Sequence, residues 1–407
     1  MLLVSGLPVA AQTAVAGGVQ TDLHTLAGLR QQALATSPAV KIARADVAAA
    51  GYSAEIVESE RLAKFSTSVE ALTGNVTDNT INLNLTKNIF SFGRYPAQQK
   101  RAALDQAVSQ DRLAIAVQDT EIQLVDYYFD WWMAHRINSI RQHAVDQASK
   151  LHAQIQERAD LGLLSNADLT SSLLQLDRLD RSLLNSELDA TKAQSDLTFF
   201  VGADLSVGKL ENNLPESTPV SMGATLDVES VLKHSVELSV LKKELAANTA
   251  QIEVVRLSNR PTLDAVARVT VDDPITPSQG TREGVGLMFN MTLNPKRLIA
   301  AQVGELLAQA DRIEAELMAA ERDLSMTLLT LERTLNDYAT KYPRLEQSRT
   351  RSADSLASNA RRFQAGTADW RELLSSIAET AELEVAIARL QIAAIAATAR
   401  LNAMKHG

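Results

Sequence analysis

Two carboxylates, Asp168 and Glu372, each lie six residues after a glycine that ends a predicted helix, Gly162 and Gly366. Paired carboxylates can serve acid–base chemistry, but these come without a convergent His, Ser or Lys set. Brought together at a constriction, such a recurring pair would favour cations; a solvated helix face is the plainer alternative. His24, His135, His143, His152, His234 and His406 are scattered. Three of them share a helix without an i, i+4 pair, which speaks against a metal site. With no phosphate loop, nucleophile elbow or zinc spacing in the chain, neither an enzyme nor a cofactor is expected. Basic residues crowd the predicted strand–helix junctions, notably Arg61, Lys64, Arg94, Arg256, Arg260 and Arg297. Cations at a helix start oppose its dipole, so something else must favour them. Head-group contact at a membrane interface is one answer, and ordinary solvation is the other.

The elements that position these residues occur twice. Ser37 corresponds to Ser235 and Phe65 to Leu263. Arg94 corresponds to Arg297, and Arg158-Ala-Asp-Leu-Gly162 to Arg362-Phe-Gln-Ala-Gly366, at offsets of 198 to 204 residues. Each copy holds a run of strict alternation. Ile81, Leu83 and Leu85 alternate with Asn82, Asn84 and Thr86, while Val285, Leu287 and Phe289 mark the second run. Period two puts one set on one face of a strand. Each run has a weaker partner, one beginning at Phe65 and one containing Val269, joined to it through the turn-rich loops 74–79 and 272–284. Four strands are expected, at about 65–73, 80–90, 262–272 and 284–293. Apolar residues outside and polar ones inside suit the wall of a transmembrane β-barrel. The lipid-facing set is then Ile81, Leu83, Leu85, Val269, Val285, Leu287 and Phe289. Four strands cannot close a barrel, and unpaired edges are not tolerated in lipid, so several copies must pool their strands.

Between Arg94 and Gly162, and between Arg297 and Gly366, the sequence predicts rods of about 100 Å. Flanking helices of half that length are expected at 24–63, 166–200, 227–259 and 369–404. Two half-length helices end to end would match one full-length helix in each repeat. Asn294-Pro295 reads as an N-cap and a first-turn proline. The aromatic run Tyr127-Tyr-Phe-Asp-Trp131-Trp132 is expected to pack where the half-length helices abut. The organisation is thus 1–16, a signal-peptide remnant or disordered N-terminus; 17–206, the first repeat; 207–226, a linker; and 227–407, the second repeat. A net charge of −9 argues against a nucleic-acid partner. The absence of cysteine excludes disulfides and thiolate metal sites. No run of 18 apolar residues occurs, so any membrane crossing would use strands.

Together the repeat and its motifs resemble the TolC-like outer membrane factors. Asn88-Ile-Phe90-Ser-Phe-Gly93-Arg94 is similar to the family's strand-end signature. The segments Arg158 to Leu169 and Arg362 to Leu374 are similar to its two helix–turn–helix tips. The resemblance implies a mainly α fold with membrane β-hairpins: a homotrimer with a shared 12-stranded outer-membrane barrel continuing into a periplasmic α-helical barrel. It implies an exit duct of an efflux pump or type I secretion system, set in outer-membrane lipid. The implied partners are a periplasmic adaptor and an inner-membrane transporter, ATP-driven or proton-driven. Carried over residue by residue, the adaptor-docking tips are Gly162, Leu163 and Ser165, with Gly366, Thr367 and Asp369; a tight αα-turn with αL glycines and caps accounts for the same residues. The chain departs from the family at Asn294-Pro295-Lys296-Arg297, which lacks the strand-end glycine, and at Trp370-Arg371, where apolar residues are usual. A soluble coiled-coil scaffold with packed hairpins is the alternative reading.

Overall fold

A computed structural model of the chain describes residues 26–71, 79–203, 205, 228–272, 280–367 and 369–406. The expected signal remnant, the 207–226 linker and most of both hairpin loops lie outside the described residues. The order is α1 (Leu26–Thr36), α2 (Pro38–Ser59), β1 (Lys64–Ala71), β2 (Asn79–Phe90), α3 (Arg94–Asp160) and α4 (Asn166–Val201). The second repeat follows as α5 (Val228–Lys233), α6 (Val236–Arg256), β3 (Thr262–Asp272), β4 (Thr281–Asn290), α7 (Lys296–Gln364) and α8 (Trp370–His406). The two long helices have 67 and 69 residues, about 100 Å each at the α-helical rise. Among the described residues no helix is long and apolar enough to cross a membrane.

One antiparallel sheet contains all four strands in the order β1-β2-β3-β4. The same order runs through the helices. Beside the sheet, α2 packs on α3, α3 on α6 and α6 on α7; toward the tips, α4 packs on α3, α3 on α8 and α8 on α7. The chain is therefore a layer four elements wide, alternating short and long helices from end to end.

Three features depart from the sequence expectation. Neither half-length helix before a hairpin is continuous. Ser37 ends α1 and caps α2, its Oγ accepting from the Val40 amide at 3.4 Å, with Pro38 in the first turn. Ser235 does the same for the Leu238 amide at 3.4 Å. A serine cap satisfies an amide that the new helix leaves open, so the chain can restart its helix at matching places in the two repeats. The second departure is at β4, which ends at Asn290 and leaves Met291–Leu293 outside the sheet. The third is at α7, where Pro295 is the N-cap rather than a first-turn residue. Asn259 holds Asn294 there, accepting from its amide at 2.9 Å and donating to its carbonyl at 3.1 Å.

The aromatic run packs at the meeting of α1, α3, α4 and α8. Tyr128, Phe129 and Trp131 are buried with Leu29, Ala33, Leu197, Val201 and Ile392. Half-buried Phe200 of α4 meets the Tyr127 ring at 4.9 Å. Burial pushes the Tyr128 phenol up to about 12, because an ionised oxygen there would lose its hydration.

Candidate channel wall and helical tips

Strand register decides which side chains share a face. Ile81 stands opposite Val271, Leu83 opposite Val269 and Leu85 opposite Ala267. Ala267 stands opposite Val285, Ala265 opposite Leu287 and Leu263 opposite Phe289. Directly opposed residues point the same way, so all seven residues read from the alternation lie on one face, joined by Phe65 and Val69 of β1. Much of this apolar surface is open: Val285 is 90% exposed, and Leu85, Leu287, Phe289, Phe65 and Val69 are exposed as well.

The opposite face is polar and cross-linked. Arg268 donates to Asn84 at 2.8 Å, and Thr270 donates to Asn82 at 2.8 Å. Near its base Asp264 is only 8% exposed. It accepts from the Asn88 amide at 2.7 Å and from the Asn290 amide at 2.8 Å, so one carboxylate ties β2, β3 and β4. A buried charge needs such partners. Asn88 stands directly opposite Asp264 and Asn290 opposite Thr262; only with the strand register do the two converge on Asp264.

The junction residues Arg94 and Arg297 begin the two long helices, Arg94 half-buried and Arg297 exposed. The first junction turns sharply: Phe92 and Gly93 both have positive φ, 49° and 90°. Ser91 secures it, its Oγ accepting from the Tyr95 amide at 3.1 Å. The second junction has no strand-end glycine and no side-chain cap; Asn259 braces it instead.

At the far end of the rods both turns have one geometry. Leu163 N–H donates to the Arg158 carbonyl at 2.8 Å, and Gly162 N–H donates to that of Ala159 at 2.9 Å. In the second turn Thr367 donates to Arg362 at 2.9 Å, and Gly366 to Phe363 at 3.0 Å. This paired pattern is the Schellman motif, which needs a left-handed residue after the C-cap. Gly162 and Gly366 supply it at φ 74° and 73°. Ser165 then caps α4 in a reciprocal box with Asp168, while Asp369 accepts from the Arg371 amide at 3.2 Å. All six residues assigned to docking are exposed.

The two carboxylates assigned to the constriction are not bare within one protomer. Asp168 accepts from the Ser165 hydroxyl at 2.7 Å and pairs with Arg371 at 2.5 Å. The serine hydrogen bond, followed by the Arg371 guanidinium, holds its carboxyl below the usual aspartate range. Glu372 lies 3.8 Å from Arg362. The tips are also joined the other way: Arg158 donates to the Phe363 carbonyl at 2.9 Å, its guanidinium 4.1 Å from the Phe363 ring. Trp370 is a core residue, buried against Ala144, Ala148, Leu151 and Ile155, which takes it out of the tip surface.

Against known proteins, the model of the family "Outer membrane efflux protein" matches residues 29–203. No curated protein matches the chain. Among solved structures, the fold is similar to the outer membrane protein VceC from Vibrio cholerae: 15% identity, 93% of this chain and 95% of that one, TM-score 0.76. It is similar to the outer-membrane channel OprN at 17% identity, covering 95% and 90%, TM-score 0.79. The open state of the Neisseria gonorrhoeae MtrE outer membrane channel matches at 15% identity, covering 94% and 89%, TM-score 0.75. The resemblance carried by the repeat motifs is thus shown in two ways: residues 29–203 match the outer membrane efflux protein family, and the chain as a whole has the fold of the TolC-like channels.

Proposed function

We propose that this protein is an outer-membrane efflux channel, the passive exit duct of a tripartite pump or type I secretion system. One observation carries the reading. The sheet has an exposed apolar face, a hydrogen-bonded polar face, and two outer edges, β1 and β4, with no strand beside them among the described residues. In lipid those edges must be paired. Strand directions alternate from β1 to β4, so β4 of one copy can meet β1 of the next in antiparallel fashion, and any number of copies closes without a parallel seam. Eight strands would leave a filled lumen and twelve an open one, which favours three copies. The helical layers then continue the wall into the periplasm.

In this reading the seven apolar strand residues face outer-membrane lipid, and the exposed turns at Gly162 and Gly366 receive a periplasmic adaptor coupled to an inner-membrane transporter. Asp168 and Glu372 stand at the narrow entrance. Light scattering of the detergent-purified protein tests the assembly. Three copies per particle, heat-modifiable in gels, are expected, whereas a stable monomer extracted without detergent would establish the soluble scaffold instead.

A further inference from the structure

The cations that crowd the first strand–helix junction line a pocket of about 280 Å³. Arg61 comes from the turn after α2, Lys64 from the start of β1 and Arg94 from the start of α3, with Ser91, Thr86 and Gln98 as polar walls. None of the three cations forms an ion pair among the described residues. Arg61 only rests over the Tyr95 ring, 4.7 Å from its centre. Two carboxylates border the pocket. Asp264 is closed off by the amides of Asn88 and Asn290, and Glu60 sits exposed on the rim without an ion pair. The positive end of α3 opens into the same space and adds to the potential there. Lys64 and Thr86 are register partners on the sheet's polar face, the face that also carries Asn82 and Asn84.

Three cations without ion-pair partners, drawn from three elements and set beside hydroxyl and amide donors, outnumber the two bordering carboxylates and leave a net positive lining that an anion would balance. We propose that this pocket binds a phosphate-sized oxyanion, with Arg61 and Arg94 as its guanidinium forks, Lys64 as a point charge and Ser91 and Thr86 as hydroxyl donors. The oxyanion can be a free phosphorylated solute in the lumen or the headgroup of an anionic lipid. The chemistry is the same, and the site is complete within one protomer.

Calorimetric titration of the full-length protein in zwitterionic detergent with inorganic phosphate, at constant chloride, reads the first source. Saturable binding is expected, weakened at least tenfold in Arg61→Gln/Arg94→Gln and unchanged in Lys100→Gln, an exposed charge outside the pocket. Should the double variant not assemble, Lys64→Gln alone carries the comparison. Nanodiscs of phosphatidylcholine with and without phosphatidylglycerol read the second source. Retention of phosphatidylglycerol by the wild type, lost in the variant and without binding of free phosphate, assigns the site to a headgroup. Binding of neither probe, or equal binding by wild type and variants, overturns the proposal. Because the site needs only one copy, a monomer that binds phosphate would overturn the duct and leave this site standing.

Discussion

Arg371, the second residue of α8, reaches across to Asp168, the third residue of α4, and pairs with it at 2.5 Å. The partners are 203 residues apart in sequence and belong to opposite repeats. Arg158 makes the return connection, from the first tip to the Phe363 carbonyl of the second. The two tips of a protomer are thereby held as one body, each repeat contributing an arginine to the other.

Arg371→Ala should release this clasp without unfolding the rods, whose packing is spread over hundreds of residues. Circular dichroism should be unchanged, while single-channel conductance in planar bilayers rises. Conductance equal to the wild type would reduce the pair to surface decoration.

Acid should mimic that variant. The folded Asp168 carboxyl is depressed below its unfolded value, so its contribution is fully present above the unfolded aspartate range, about pH 4. It is lost as pH falls through the lower folded value. Conductance should therefore rise only in that acidic window, and Asp168→Asn should abolish the rise. A conductance change centred near neutrality would point to a histidine instead.

Gly162→Leu and Gly366→Leu test whether the turns are read by a partner. A Cβ at either glycine meets nothing within 4 Å, so the cost is the left-handed backbone alone, roughly 1–2 kcal/mol per site. Outer-membrane amounts should be normal and export reduced. Normal amounts with normal export would make the turns plain connectors.

Val285 and Gly286 are neighbours on β4 facing opposite sides. Val285→Arg places a cation on the apolar face, where a midplane site costs about 2–4 kcal/mol, and trimer yield should fall. Gly286→Arg enters open space on the polar face and should assemble. Equal loss in both variants would contradict the assignment of faces. Asn84 is a poorer control, because an arginine there would displace the acceptor of Arg268.

Asp264→Ala should leave the Asn88 and Asn290 amides without their shared acceptor, at a cost of about 1–3 kcal/mol. Asp264→Asn should not restore it, since one amide oxygen cannot replace two carboxylate oxygens. Heat-modifiability in gels would report this, with the transition falling in both variants. An unchanged transition would mean that lipid and neighbouring strands fix the sheet base without it.

Period two placed Ile81, Leu83 and Leu85 on one face of their strand, and Val285, Leu287 and Phe289 on one face of theirs, because alternation is a property of each strand by itself; the register then set these faces and Val269 on the same side of the sheet. The long helices were legible for a similar reason: helix formers fill the stretches between Arg94 and Gly162 and between Arg297 and Gly366, and the second stays helical through Pro343. The breaks at Ser37 and Ser235 were written locally too, as a serine before a fresh amphipathic run, and the continuity of the pattern on either side masked them. What sequence could not show was partnership. Arg371 and Asp168, or Asp264 and its two asparagines, meet only after the repeats pack side by side. The recurring Arg of Arg158-x-x-x-Gly162 and Arg362-x-x-x-Gly366 was the available hint, and it does not say which carbonyl or ring each arginine will find.

The common order of sheet and helices bears on how such a chain could arise. Inside the protomer, the long helix of the first repeat meets the short helices of the second along its whole length. In the three-copy ring proposed above, the long helix of the second repeat would meet the short helices of the next copy's first repeat. The two seams are of one kind, so the ring is made of six near-equal staves. A half-length ancestor could have built the same cask from six identical chains, with every seam alike. Joining two staves in one chain lets the two repeats diverge, as the glycine-built junction at Gly93 and the proline-built junction at Pro295 already have.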